Sequence, residues 1–338
     1  MDPKGKILAC LGRRSSATGG ELRAQVGLSR QALSVHLRSL IGAGQVVRSG
    51  TTRGARYWLA SRAPAAAVVV RSLRTRGLDE DRVWEDVATH LNLRRVLRPN
   101  VEAITRYAFT EMLNNAIDHS EAARCSFRFS LEPGTVSFVV RDPGIGAFRS
   151  IASKLHLPDE EAALVELMKG RTTTQREAHT GEGIFFTSRA ADRFVLRSHR
   201  IQIEWDAARE DVFVSARRLL AGTEVRVEVQ RAARRRLEDV FGEFAPEEYD
   251  FQFQKTKVLV KLLRRDYVSR SEARRLLANL EKFSEVVLDF RDVQSVGQGF
   301  ADEVFRVFSR RYPAIAIKTE NTNPVIDAML RHVSSSTR

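Results

Sequence analysis

The chain has 338 residues, 43% of them hydrophobic and 29% charged, with a formal net charge of +13. That length suits two or three domains, and that mixture suits ordinary globular folds rather than disordered or fibrous chains. No apolar run approaches the ~18 residues of a membrane span, no secretory signal opens the chain, and two distant cysteines, Cys10 and Cys125, neither build a disulfide framework nor show metal-ligand spacing, so a reducing, cytoplasmic setting without membrane contact is expected.

The positive charge is concentrated. Residues 1–62 hold eleven Lys or Arg against two Asp or Glu, whereas the other 276 hold 44 against 40. A basic N-terminal segment suits a polyanion such as double-stranded DNA, although an arginine-rich solubilising face has the same composition. The spacing predicts helices over 6–11 and 21–26, a turn at Gly27, and a third helix capped by the Ser29 hydroxyl. Leu33, Leu37, Leu40 and Ile41 form its apolar stripe, with Arg30, Gln31, Ser34 and Arg38 opposite. Strands over 46–48 and 55–59 follow, joined by a loop with two glycines and Arg53.

Ser29-Arg30-Gln31-Ala32-Leu33-Ser34-Val35-His36-Leu37-Arg38 and Arg53-Gly54-Ala55-Arg56-Tyr57-Trp58-Leu59 resemble the winged helix-turn-helix of bacterial transcription regulators. The resemblance implies a domain over 1–62 whose third helix enters the major groove. Arg30, Gln31, Ser34 and Arg38 would face base edges, and Arg53 and Arg56 phosphates. Paired half-sites imply a homodimer. A winged helix used only for protein contacts is the competing reading.

After an Ala-Pro-Ala-Ala-Ala linker, a second domain is expected over 73–230. A helix over 101–120 packs Ile104, Ala108, Met112 and Ala116 on one side and places Glu111, Asn115, Asp118 and His119 in a polar stripe. An amide one turn after a carboxylate suits a magnesium nucleotide, the amide oxygen on the metal and the carboxylate on a water. Such a stripe is also common on solvated surfaces. Strands over 125–131 and 136–140 then lead into Asp142-Pro143-Gly144-Ile145-Gly146. An aspartate at a strand end can accept an adenine amino group, and glycines let the chain pass close to a base. A polar stretch with Lys169 and Arg171 precedes Gly181-Glu182-Gly183-Ile184, a glycine-rich helix start that offers N–H groups to phosphate.

Taken in order, Glu111 and Asn115, Asp142-Pro143-Gly144-Ile145-Gly146, Gly181-Glu182-Gly183-Ile184, and Gly222-Thr223 opening the strand over 223–229 resemble the boxes of the GHKL ATPase superfamily. The resemblance implies an α/β sandwich with a left-handed βαβ-type pocket, a mixed sheet and helices on one face. It implies ATP or ADP with magnesium: Asn115 on the metal, Glu111 as general base, Asp142 on adenine. Asn114, Asp118, Gly144, Gly146, Gly181, Gly183, Ile184 and Thr223 would line the nucleotide, and Lys169 and Arg171 would offset phosphate charge from a lid. The spacing Glu-x-x-x-Asn-Ala-Ile-x-His is closest to the anti-sigma serine kinases. His90, followed by Leu91-Asn92, lacks the pattern of a phosphoacceptor histidine.

Strands over 257–263, 286–290 and 315–317 alternate with helices over 271–280, 300–310 and 325–332, the pattern of a small α/β domain over 248–333. Residues 288–305 resemble the STAS-like family. Where a STAS antagonist carries a phosphorylated serine, this loop reads Gly297-Gln298-Gly299 with no hydroxyl, and Ser295 falls earlier. A fixed intramolecular or dimer contact is therefore favoured over phosphorylation in cis. The whole chain, α+β and multidomain, reads as a DNA-binding regulator switched by ATP. The alternatives are a serine/threonine kinase acting on a sigma-factor-like or antagonist protein, and a DNA-binding scaffold with structural ATP.

Overall fold

The computed structural model describes residues 2–14, 16–43, 45–49, 55–59, 67–170, 182–245, 254–262, 266–267 and 269–335. The chain divides into two compact units, Met1–Ala147 with Thr187–Leu237, and Phe148–Phe186 with Glu238–Arg338.

In the first unit, local capping sets the N-terminal helices. The Asp2 carboxylate accepts the Gly5 N–H at 2.7 Å to start α1 (Pro3–Arg13). After β1 (Ala17–Thr18), Thr18 and Glu21 cap α2 (Gly19–Val26) reciprocally, and those bonds from Thr18 hold the Glu21 carboxyl below its ordinary range. Ser29 caps α3 (Arg30–Gly42) by accepting the Ala32 N–H. Strands β2 (Val46–Ser49) and β3 (Arg56–Leu59) pair antiparallel, and β1 adds to the far side of β3. Ile7, Leu11, Leu22, Leu33, Leu37 and Leu40 form the core. Ile41 does not join it and is exposed. Eight residues past Leu33, a 3.6-residue repeat has turned about 80° off the stripe. The two-residue β1 is too short for any periodic signal.

The middle sheet has the order β4-β5-β6-β8-β7, formed by β4 (Ala67–Arg74), β5 (Arg124–Leu131), β6 (Thr135–Asp142), β7 (Arg193–Asp206) and β8 (Asp211–Gln230). Two expectations change. The β-branched run Val68-Val69-Val70 is the edge strand of this sheet, so the domain begins before residue 73. The sheet is not mixed either, since all four pairings are antiparallel. The return strand β8 lies between β6 and β7, so the parallel pair made by the helical crossover shares no hydrogen bonds.

Helices α4 (Glu80–His90), α5 (Leu93–Val96) and α6 (Pro99–Asp118) lie between β4 and β5 in the chain. Phe109 of α6 meets Phe127, Phe129 and Phe138 of the sheet edge-on, at 5.1, 5.6 and 5.3 Å between ring centroids, with Trp84 of α4 at 6.1 Å.

The second unit contains α7 from Phe148 onward (Ala147–Lys154), α8 (Glu160–Lys169), the first half of α9 (Glu182–Ala190), and α10 (Leu237–Phe244) from Glu238 onward. Its parallel sheet has the order β13-β11-β9, from β9 (Lys255–Leu259), β11 (Glu285–Asp289) and β13 (Ala316–Glu320). A separate parallel pair is formed by β10 (Asp266–Tyr267) and β12 (Ser295–Val296). Helices α11 (Arg270–Leu277) and α14 (Pro324–Ser335) flank a stretch formed by α12 (Gln298–Asp302), a π-helical turn (Glu303–Phe308) and α13 (Ser309–Arg311). Phe300, Val304 and Phe308 are buried, while Val307 is only half-buried. Among the described residues, no helix is long and apolar enough to cross a membrane.

Candidate nucleotide site

The aromatic seat of Phe109 decides how α6 faces. Ala108, Met112, Leu113 and Ala116 are buried with it, which leaves Glu111, Asn114 and Asn115 half-buried and Asp118 exposed. The start of α6 is anchored by the Asn100 side-chain amide, which donates to the carbonyls of Ala233 at 3.0 Å and Arg235 at 2.7 Å. Its end is anchored by Ser120, whose hydroxyl donates to Ala116 O and accepts the Ala122 N–H.

The loop after β6 is clamped on two sides. On one side the Ser120 carbonyl accepts the Ile145 N–H at 2.8 Å, and a Cβ added at Gly144 would come within 1.9 Å of that oxygen. On the other side a Cβ at Gly222 would stand 2.0 Å from Asp142 O. Only glycine fits either place. The Thr223 hydroxyl accepts the Ala147 N–H at 3.0 Å, and Ser198 donates to Gly222 O at 3.2 Å. Gly222 and Thr223 do not open a strand. They lie inside the 20-residue β8, where its register with β7 shifts. The expectation failed because residues before Gly222 pair only with β7 and show no alternation of burial.

Ser120, Ser198 and His199 escaped the sequence reading. His199 holds a left-handed backbone (φ +48) at the bulge, and its Nε2 would lie 2.8 Å from a Cβ on Gly146. No local signal marks these residues, because strand pairing brings Ser198 and His199 to the loop and the turn after α6 brings Ser120.

Asp142 ends β6 opposite Thr223 and is 5% exposed. Burial pushes its carboxyl up to about 6, against the backbone N–H bonds of Gly144 and Thr223, which lower it. The Cys125 thiol is raised by its own burial and by the Asp142 charge. A buried carboxylate acceptor, a cradle that admits no side chain, and an amide and a carboxylate one turn apart on α6 fit an adenine nucleotide with a hard, oxygen-seeking cation.

Residues 59–203 match the histidine kinase-like ATPase domain family. The middle of the chain is a GHKL-type ATPase domain. Residues 272–327 match a STAS-like domain of unknown function. No curated protein matches the chain. An ATPase domain of this type implies binding of ATP or another nucleotide with magnesium. The family match begins at residue 59, before β4, in agreement with the early start of the sheet.

The remaining predicted positions are scattered. Gly183 and Ile184 are buried in the first turn of α9. Lys169, expected to offset phosphate charge, is wholly buried. Its ammonium donates to the Glu166 carboxylate at 2.6 Å and to Ala278 O at 2.5 Å, so its charge is already neutralised within the fold. Arg171, Gly181 and, in the N-terminal segment, Arg53 lie outside the described residues. Arg30, Gln31, Ser34 and Arg38 share an exposed face of α3, and Arg56 donates to the Ser16 hydroxyl at 2.9 Å.

Proposed function

We propose that the chain is an ATP-switched, DNA-binding regulator of winged-helix type. The observation that carries this is the division of α3. Leu33, Leu37 and Leu40 are buried, while Arg30, Gln31, Ser34, Val35 and Arg38 are exposed side by side within a segment holding an excess of nine positive charges. An exposed helix face with arginine and glutamine suits base edges. The order helix, strand, helix, helix and hairpin, with β1 completing a three-stranded sheet, supports the winged-helix reading.

In the ATPase domain, Asp142 accepts the adenine amino group, and the glycines on either side keep the base against backbone. Asn115, with Asn114 and Asp118 beside it, would hold the metal through its amide oxygen. Glu111 holds and deprotonates a water. Magnesium would supply charge neutralisation at the phosphates. A nucleotide can switch the regulator only by binding one domain arrangement better than another.

The test is anisotropy of labelled fragments from the protein's own upstream region, with no nucleotide, ADP or a non-hydrolysable ATP analogue, at one fixed salt concentration. Specific affinity that changes with nucleotide supports the switch. Specific binding indifferent to nucleotide reduces ATP to a structural ligand, and absence of specific binding in every state sinks the DNA reading. Glu111→Gln should keep nucleotide affinity while phosphate release falls by ~10²–10⁴.

The STAS-like domain favours a second reading, an anti-sigma-type kinase acting on a separate protein. Gly297 caps α12 without a side-chain hydroxyl, which weighs against transfer in cis but not in trans. Labelled phosphate appearing on a partner protein would decide for it.

A further inference from the structure

The ATPase sequence is interrupted in an instructive place. The chain leaves the first unit directly after Gly146-Ala147 and re-enters it within α9, at Thr187. The intervening helices fold with the STAS-like strands instead. The Thr256 hydroxyl, on β9, donates to the carbonyl of Lys169 at 2.6 Å. The Lys169 ammonium reaches Ala278 O, just past α11, at 2.5 Å, and Glu166 at 2.6 Å. Gly170 then ends α8 in the left-handed conformation. At the other junction, Phe185 and Phe186 of α9 pack on Phe244 and Phe241 of α10, with centroids 4.9 and 4.6 Å apart.

Plain packing would not require this arrangement. An apolar side chain at position 169 would fill the same volume without burying a charge, and buried ion pairs are poor sources of stability. Burial itself pulls the lysine's pKa down, against the attraction of Glu166. What the lysine adds is direction, since it fixes the end of α8 to one carbonyl of the STAS-like domain.

We propose that the STAS-like domain is the internal receiver of the nucleotide state, and that Lys169 is the positioning residue that couples them. The inference rests on nucleotide binding at the site described above. The partner of this STAS-like domain is then the ATPase domain's own inserted helix α8, held through Thr256, Lys169 and Ala278. Ligand at the Asp142 loop acts on a chain whose continuation is fastened to β9.

Hydrogen exchange of the full chain tests this, with and without magnesium and a non-hydrolysable ATP analogue, and with nucleotide affinity measured separately by calorimetry. In the wild type, nucleotide should slow exchange about tenfold in segments 255–262 and 276–289. In the Glu166→Gln/Lys169→Met double variant, which removes both charges together, affinity should stay within about threefold while that slowing disappears. Thr256→Val, which deletes one hydroxyl, guards against a folding defect and should weaken the response partially. Binding to the wild type with no change in either segment overturns the proposal, as does a double variant that keeps the full response. No binding to the wild type defeats the nucleotide reading itself, and the coupling with it.

Discussion

The carbonyl oxygen of Ser120 stands 1.9 Å from the point where a side chain at Gly144 would place its first carbon, and it accepts the N–H of Ile145. The end of α6 and the loop after β6 are thus held together by backbone alone. Gly144→Ala must move one or the other. Overpacking of this kind costs about 1–3 kcal/mol. The variant should unfold at lower urea and lose most nucleotide affinity, measured by chemical denaturation and calorimetry. Unchanged midpoints would show that the two elements are not clamped.

Asp142 should leave a pH signature. Its carboxyl, ordinarily near 3.8, lies at about 6 in the folded protein. Between those values the native state keeps a proton that the unfolded chain has lost. Unfolding free energy therefore falls as pH rises through that window, by at most ~1.4 kcal/mol per pH unit from this group, and levels off above about 6. Asp142→Asn should lack this component and gain stability relative to wild type at neutral pH. Urea midpoints of the two proteins across the window check it, and equal slopes would refute the assignment.

Nucleotide binding should follow the opposite course. The ionised carboxylate is the acceptor proposed for the adenine amino group, so wild-type affinity for the ATP analogue should weaken as pH drops below about 6. Asp142→Asn should bind about 10–100-fold more weakly at neutral pH, the size of a lost hydrogen bond to a charged group. Calorimetry at two pH values separates these effects.

On α3, Gln31→Ala should relax sequence preference at a single position, with a loss of about 1–3 kcal/mol for the preferred base. Arg56→Ala should weaken all DNA sequences nearly equally and flatten the dependence on salt. Competition binding with substituted fragments reads both. A uniform loss from Gln31→Ala would remove it from the base-reading face.

Local chemistry made much of this protein legible. Ser29 as a cap, the leucines of α3, the helix of Glu111 and Asn115, and the strand ending at Asp142 each depend on neighbours within a turn or a strand. Spacing alone therefore announces them. Domain order followed from the boxes for the same reason. Other features needed the folded chain. The place of Gly222 inside β8, and the approach of Ser198 and His199 to Gly146, come from a pairing whose register shifts at a bulge. Lys169 has the charge of a phosphate ligand, yet beside the local Glu166 its ammonium is held by the carbonyl of Ala278, 109 positions away. Sequence determined which groups could meet a nucleotide, because propensity and spacing are local. Tertiary structure decided which of them are held against the Asp142 loop and which belong to the STAS-like core, because burial and hydrogen-bond partners are set by contacts that no local pattern records.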